Sequence, residues 1–237
     1  MKNFKNISKG LVARIGAVCI LSVMLSSCLK DHTSNTPLPA VSVMSVVQAS
    51  PGQPVLDFYL DGTRVNGSGL ALGNNLDYFR AYSGKRTASF SQTGTSTQIF
   101  SDTVNLKENI AYSLCLVGKT PTLSYLLLTD SLSQPASGSA YLRFVNLSPD
   151  APAVDLAVKD ASVIAANKGF KGFTSFFSIT GKTYSFEIRQ AGTSTVLATL
   201  NNVNIGNGYV YTIYLEGLVA SSGTDKLTPV LVTNAHP

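Results

Sequence analysis

The chain has 237 residues, with 18 Lys and Arg against 13 Asp and Glu, a formal charge of +5, no tryptophan and two histidines, His32 and His236. Lys2, Lys5, Lys9 and Arg14 crowd the N-terminus, leaving 14 bases against 13 acids beyond it, without the excess of positive charge that a nucleic-acid partner requires. With no histidine between positions 32 and 236, Ser-His-Asp or Cys-His triads and the common histidine-bearing zinc sites are disfavoured, and no cofactor or metal is expected.

In chain order, the basic start is followed by a nearly continuous apolar run, Ile15 to Leu25, and then by Ser26-Ser27-Cys28. This is the grammar of a secretory signal peptide, too short for a membrane span of about 20 apolar residues. Leu25-Ser26-Ser27-Cys28 resembles a bacterial lipobox. It predicts a signal peptide over 1–27, lipidation at Cys28 and a flexible lipidated tether over 28–40. Stable anchoring takes two membrane signals, which several acyl chains exceed. Leu29 stands where an aspartate would suggest inner-membrane retention, so the expected location is the outer membrane of a Gram-negative bacterium. Cys19 falls in the signal segment and Cys28 carries lipid, leaving Cys115 alone without a disulfide partner.

A repeat follows. Ser50-Pro51-Gly52-Gln53-Pro54-Val55-Leu56-Asp57 returns as Ser148-Pro149-Asp150-Ala151-Pro152-Ala153-Val154-Asp155, an offset of 98. Gly94-Thr95-Ser96-Thr97 returns at Gly192 with the same offset, and Tyr112 to Gly118 returns at Tyr211 to Gly217 with an offset of 99. Within each copy, Leu56, Phe58 and Leu60 alternate with Asp57, Tyr59 and Asp61, as Tyr112, Leu114 and Leu116 alternate with Ser113 and Cys115. That period of two predicts strands with one buried face. Turn signals such as Asp61-Gly62, Gly118-Lys119 and Gly206-Asn207-Gly208 punctuate them. The prediction is all-β: two tandem immunoglobulin-like antiparallel β-sandwich domains, each of about seven strands. Their expected bounds are 41–130 and 139–237, joined by a linker over 131–138.

Ser148 to Asp155 and Ala191-Gly192-Thr193-Ser194-Thr195-Val196-Leu197-Ala198 resemble the bacterial domain of unknown function 4397; the first copy keeps the pattern more loosely, with Leu60-Asp61-Gly62 as its strand-ending turn. Gln48 and Asn146 stand near the place where that family often has a histidine. The resemblance implies an exported β-sandwich, often in tandem, with no established catalysis.

Ser50, Pro51, Pro54 and Asp57, with Ser148, Pro149, Asp150, Pro152 and Asp155, form the repeated motif. An outward aspartate beside such a loop is expected to accept backbone N–H groups and hold it in place. Asp57, Asp61 and Asp77 are the alternative, catalytic candidates, since a glycosidase needs two acids about 5–10 Å apart. Phe173, Phe176 and Phe177, with Tyr78 and Phe79 at the matching place in copy one and Tyr82 just beyond them, are the expected contact surface. Adjacent Phe176 and Phe177 must point to opposite faces, so that one fills the sandwich and the other is left at a domain–domain or partner interface, core closure being the main use of the cluster. Tyr112 and Tyr211 resemble tyrosine corners. The expected function is a non-catalytic binding, adhesion or scaffolding module, displayed from the membrane by its lipid anchor toward an envelope protein or glycan. A carbohydrate-active or metal-dependent hydrolase and a passive spacer are the alternatives.

Overall fold

A computed structural model describes residues 39–236; the expected signal segment and most of the tether, Cys28 included, lie outside the described residues. All regular structure described is β. The first half contains β1 (Val41–Gln48), β2 (Leu56–Leu60), β3 (Thr63–Arg64), β4 (Asn75–Tyr82), β5 (Gly84–Gln92), β6 (Gln98–Leu106), β7 (Ala111–Val117) and β8 (Ser124–Asp130). The second contains β9 (Ser139–Asn146), β10 (Val154–Val158), β11 (Val163–Lys168), β12 (Phe177–Thr180), β13 (Thr183–Gln190), β14 (Val196–Asn204), β15 (Val210–Glu216) and β16 (Thr228–Ala235). The expected tandem sandwich is present, with eight strands a half rather than seven.

The two halves have the same topology. Sheets ordered β4-β1-β7-β8 and β3-β2-β5-β6 enclose the first core, and sheets ordered β12-β9-β15-β16 and β11-β10-β13-β14 enclose the second. Met44, Leu56, Phe58, Phe90 and Leu114 lead one core, and Leu142, Phe144, Phe186, Ile188 and Ile213 the other. The sheets depart from the expected purely antiparallel pattern at one place each: β1 runs parallel to β7, and β9 parallel to β15. The intervening strands supply the long connection that a parallel pair requires. Asp61 and Gly62 both have positive φ, the geometry of a two-residue hairpin turn, here joining β2 to β3.

The central strands are buried on both faces. Every residue of β15 is buried, and all of β7 except Ala111. The polar members of those alternations, Ser113, Thr212 and Glu216, read as solvent-facing in the sequence. They are covered because the outer face of β4-β1-β7-β8 packs on the outer face of β12-β9-β15-β16. Val47, Ala49, Cys115, Val117, Leu128, Val145, Leu147 and Tyr214 form a third apolar cluster there. Burial of each large side chain contributes about 1.5–3 kcal/mol relative to exposure.

The polar groups enclosed with that cluster bond one another across the junction. Arg143 on β9 donates through Nη1 to Asp130 Oδ1 at the end of β8 (2.6 Å), through Nε to Thr212 Oγ1 (3.2 Å) and through Nη2 to Ser113 Oγ (3.4 Å). Ser113 and Tyr78 donate to Asp130 Oδ2, and Asn234 Nδ2 donates to the Tyr78 hydroxyl (3.0 Å). The Phe176 ring lies 4.4 Å from the Arg143 guanidinium carbon and screens it from water. Burial opposes the charge on Arg143, but the Asp130 carboxylate outweighs it and raises the pKa.

Removing one member of a buried ion pair strands the other charge, at a cost of about 3–5 kcal/mol. Arg143→Ala is expected to lower stability by about that amount in urea unfolding. The double variant Arg143→Met with Asp130→Asn, which keeps an acceptor for Ser113 and Tyr78, is expected to recover at least half of the loss.

Candidate binding cleft

The repeated motif is a loop clamp. Ser50 Oγ donates to the carbonyl of Gly118 (2.7 Å) and Ser148 Oγ to that of Gly217 (2.7 Å). Gln48 Oε1 accepts the Ser50 amide (2.6 Å) and Asn146 Oδ1 the Ser148 amide (3.0 Å), giving both side chains one role. Pro51, Pro54, Pro149 and Pro152 shape these loops, and Asp150 Oδ1 accepts the Val219 amide (2.9 Å). Asp57 and Asp155 face away from the cores that Leu56, Phe58, Val154 and Leu156 fill, as the alternation predicts, but they do not meet solvent. They are 4% and 5% exposed, with their partners drawn over them. Asp57 Oδ1 accepts from Arg64 Nη2 (2.8 Å), Asn66 Nδ2 (3.0 Å) and Thr93 Oγ1 (3.1 Å). Asp155 accepts the amides of Asn167 (2.7 Å) and Gly192 (2.9 Å). Each tyrosine-corner hydroxyl accepts an amide five residues upstream, Tyr112 from Lys107 (3.0 Å) and Tyr211 from Gly206 (3.1 Å).

The aromatic set divides between the two faces of its strands, as the alternation predicts: Phe79 and Phe177 pack on the two cores, and Tyr78 and Phe176 face the junction between the halves. Strand alternation separates each adjacent pair. Tyr82 and Phe173 remain exposed, at 58% and 48%. Phe173 rims a small hollow of about 220 Å³ beside Asp130 and Arg143.

Tyr82 borders a larger cleft of about 530 Å³ at the margin of the first sandwich, between β3 of one sheet and β4 of the other. Both are edge strands, and β3 is only two residues long. Leu60, Val65 and Phe79 form the floor, and Asp61, Arg64 and Arg80 supply the polar groups. Asp61 is occupied, accepting the Thr87 amide (2.9 Å) and pairing with Arg86 (3.2 Å). The proposed acid trio does not line this cleft together: Asp57 is turned to the partners named above, and Asp77 accepts from Asn75 (3.4 Å). Arg64 and Arg80 were not singled out by sequence pattern. For Arg80 the signal is a contrast between the two halves. Ladder register places Ser178 opposite Tyr141 as Arg80 stands opposite Val43, and Thr180 where the first half has Tyr82.

One more buried group sits at the junction. Glu216 is 4% exposed, its Oε2 has no hydrogen-bond partner among the described residues, and burial pushes its pKa up from 4.5 to about 8. Gly73 of the first half packs against this carboxyl with φ +82°; a Cβ there would collide with Glu216 Oε1. Between the unfolded and folded pKa values the native state keeps a proton that the unfolded chain releases. The contribution of Glu216 is therefore full below about pH 4.5 and is lost as pH rises toward 8, by at most about 1.4 kcal/mol per pH unit. Stability measured from pH 5 to 8 is expected to fall more steeply in the wild type than in Glu216→Gln; parallel curves would contradict the assignment.

Asp57→Ala removes the acceptor for Arg64, Asn66 and Thr93, and is expected to cost about 1–3 kcal/mol in thermal or urea unfolding.

No curated protein matches the sequence. Among solved structures, the Bacillus anthracis TIE protein is 12% identical with a TM-score of 0.25; the match covers 75% of this chain and 34% of that one, so the chain spans about a third of its length. A family 26 carbohydrate-binding module from Eubacterium rectale Amy13K, in complex with maltoheptaose, is 10% identical with a TM-score of 0.26, covering 82% of this chain and 98% of that one. A streptococcal family 41 carbohydrate-binding module that recognises α-glucan is 11% identical with a TM-score of 0.25, covering 79% and 96%. Likenesses at this level transfer no ligand to this chain. Residues 42–157, from β1 into β10, match the family model described as Domain of unknown function (DUF4397) in a single stretch.

Proposed function

We propose that the protein is a non-catalytic glycan-binding module, held at the outer membrane by lipid on Cys28, with its binding site in the cleft of the first sandwich. The observation that carries this reading is the cleft itself. Its volume of about 530 Å³ lies within the range of small-ligand sites, about 300–1,000 Å³. An exposed tyrosine face suits the C–H face of a sugar ring, and flanking guanidinium groups suit its hydroxyls. A floor of Leu60, Val65 and Phe79 keeps the polar groups at the rim. The binding reading is favoured over hydrolysis because Asp61 is the one carboxylate lining the cleft and is already engaged, whereas glycoside hydrolysis calls on two. We also propose that the second sandwich is a second copy of the same family; identical strand order in the two halves supports this.

A glycan array probed with the detergent-solubilised full chain tests the function. Binding that falls at least tenfold in Tyr82→Ala, with an unchanged melting temperature, is expected. A wild-type protein that binds no glycan, or a Tyr82→Ala variant that binds as well, would contradict it. Metabolic labelling with palmitate tests the anchor: label is expected in the wild type and lost in Cys28→Ala.

A further inference from the structure

We infer that the ligand of this cleft is an acidic glycan whose carboxylate seats on Arg80. This rests on the glycan-binding reading and names the class of saccharide. Of the guanidinium groups around the cleft, Arg64 is neutralised by Asp57 (2.8 Å) and Arg86 by Asp61 (3.2 Å). Arg80 is exposed and has no ion-pair or hydrogen-bond partner among the described residues, so its five N–H donors are available to a ligand. A planar guanidinium fork matches a carboxylate in bidentate fashion, and such charge-assisted bonds are about twice as strong as neutral ones.

The placement of Arg80 sets the ligand's length. Besides the main cleft it borders a second hollow of about 420 Å³ on the outer face of the same sheet, lined with Val41, Val43 and Ile110 and containing no acid. A ligand held at Arg80 can extend to both sides of β4, which suits a chain of sugars better than a single one. Tyr82, two positions along the strand, lies on the same face as Arg80. With Asp61 already paired, nothing lining either hollow opposes a negative ligand. The second sandwich has Ser178 and Thr180 at the register positions of Arg80 and Tyr82, so the charge and the ring are both peculiar to the first.

Calorimetric titration of the detergent-solubilised full chain tests the inference. The probes are oligogalacturonate, oligomannuronate and hyaluronan oligomers, each beside its methyl-esterified form, with poly-glutamate as a charged ligand that has no sugar ring. At least one acidic oligomer is expected to bind at least tenfold more tightly than its ester and than poly-glutamate. Arg80→Gln is expected to abolish that preference without shifting the melting temperature, and Arg80→Lys to restore part of it. Equal affinity for acid and ester, or an Arg80→Gln variant that keeps the preference, would overturn the acidic assignment. If Tyr82-dependent binding of neutral glycans persisted in that case, the glycan-binding reading would stand. Equal binding of poly-glutamate would overturn the assignment to a saccharide. Absence of binding to every acidic probe overturns this inference, and absence of all glycan binding overturns the function as well.

Discussion

The arrangement of the described chain depends on one constraint: each sandwich covers the outer face of one of its sheets with the corresponding face of the other. The faces are contributed by the same strands in both halves, β1 and β7 on one side and β9 and β15 on the other. Such use of one patch by two similar bodies is the pattern of an isologous interface. Here the register-equivalent residues have diverged. Ser45 faces Ser113 in one ladder, and Arg143 faces Thr212 in the other; Val47 pairs with Cys115, and Val145 with Tyr214. Had both copies carried arginine, two buried positive charges would meet. One arginine against one aspartate, with hydroxyls between them, satisfies the enclosed donors and selects a single orientation.

That burial also decides which surfaces are free. It covers Tyr78, Asp130 and Ser113 on the β4-β1-β7-β8 face and leaves Arg80 and Tyr82 exposed. Adjacent positions on β4 therefore serve different ends: Tyr78 holds the two halves together, Phe79 fills the core, and Arg80 and Tyr82 meet solvent. The second sandwich supplies the locking arginine and has small hydroxyl residues at the two positions that carry the proposed ligand contacts in the first. The two halves thus divide the work, one supplying the arginine that fixes their geometry and the other presenting the cleft.

Much of the fold was legible in the residues because it depends on local pattern. Alternation marked strands such as Leu56–Leu60, Asp61-Gly62 marked a turn, and the repeated Ser-Pro motif marked two equivalent loops whose serines close on Gly118 and Gly217. The tyrosine corners were legible for the same reason. The second buried face was not. Ser113, Thr212 and Arg143 are polar residues on alternating strands, and a partner face contributed by residues about 100 positions away leaves no local mark. The cover over Asp57 was not legible because Arg64, Asn66 and Thr93 converge on it only after β2, β3 and β5 assemble. Arg80 was obscured in another way: an arginine on an edge strand is ordinary, and it stands out only beside Ser178 in the matched register.

Differential scanning calorimetry of the full chain tests most directly whether the shared face makes the two sandwiches one body. Two independent sandwiches would unfold separately, whereas halves that bury Arg143, Asp130 and the third apolar cluster between them should unfold together. One transition is expected, with calorimetric and van't Hoff enthalpies that agree. Two resolved transitions, each unmoved by Arg143→Ala, would contradict it.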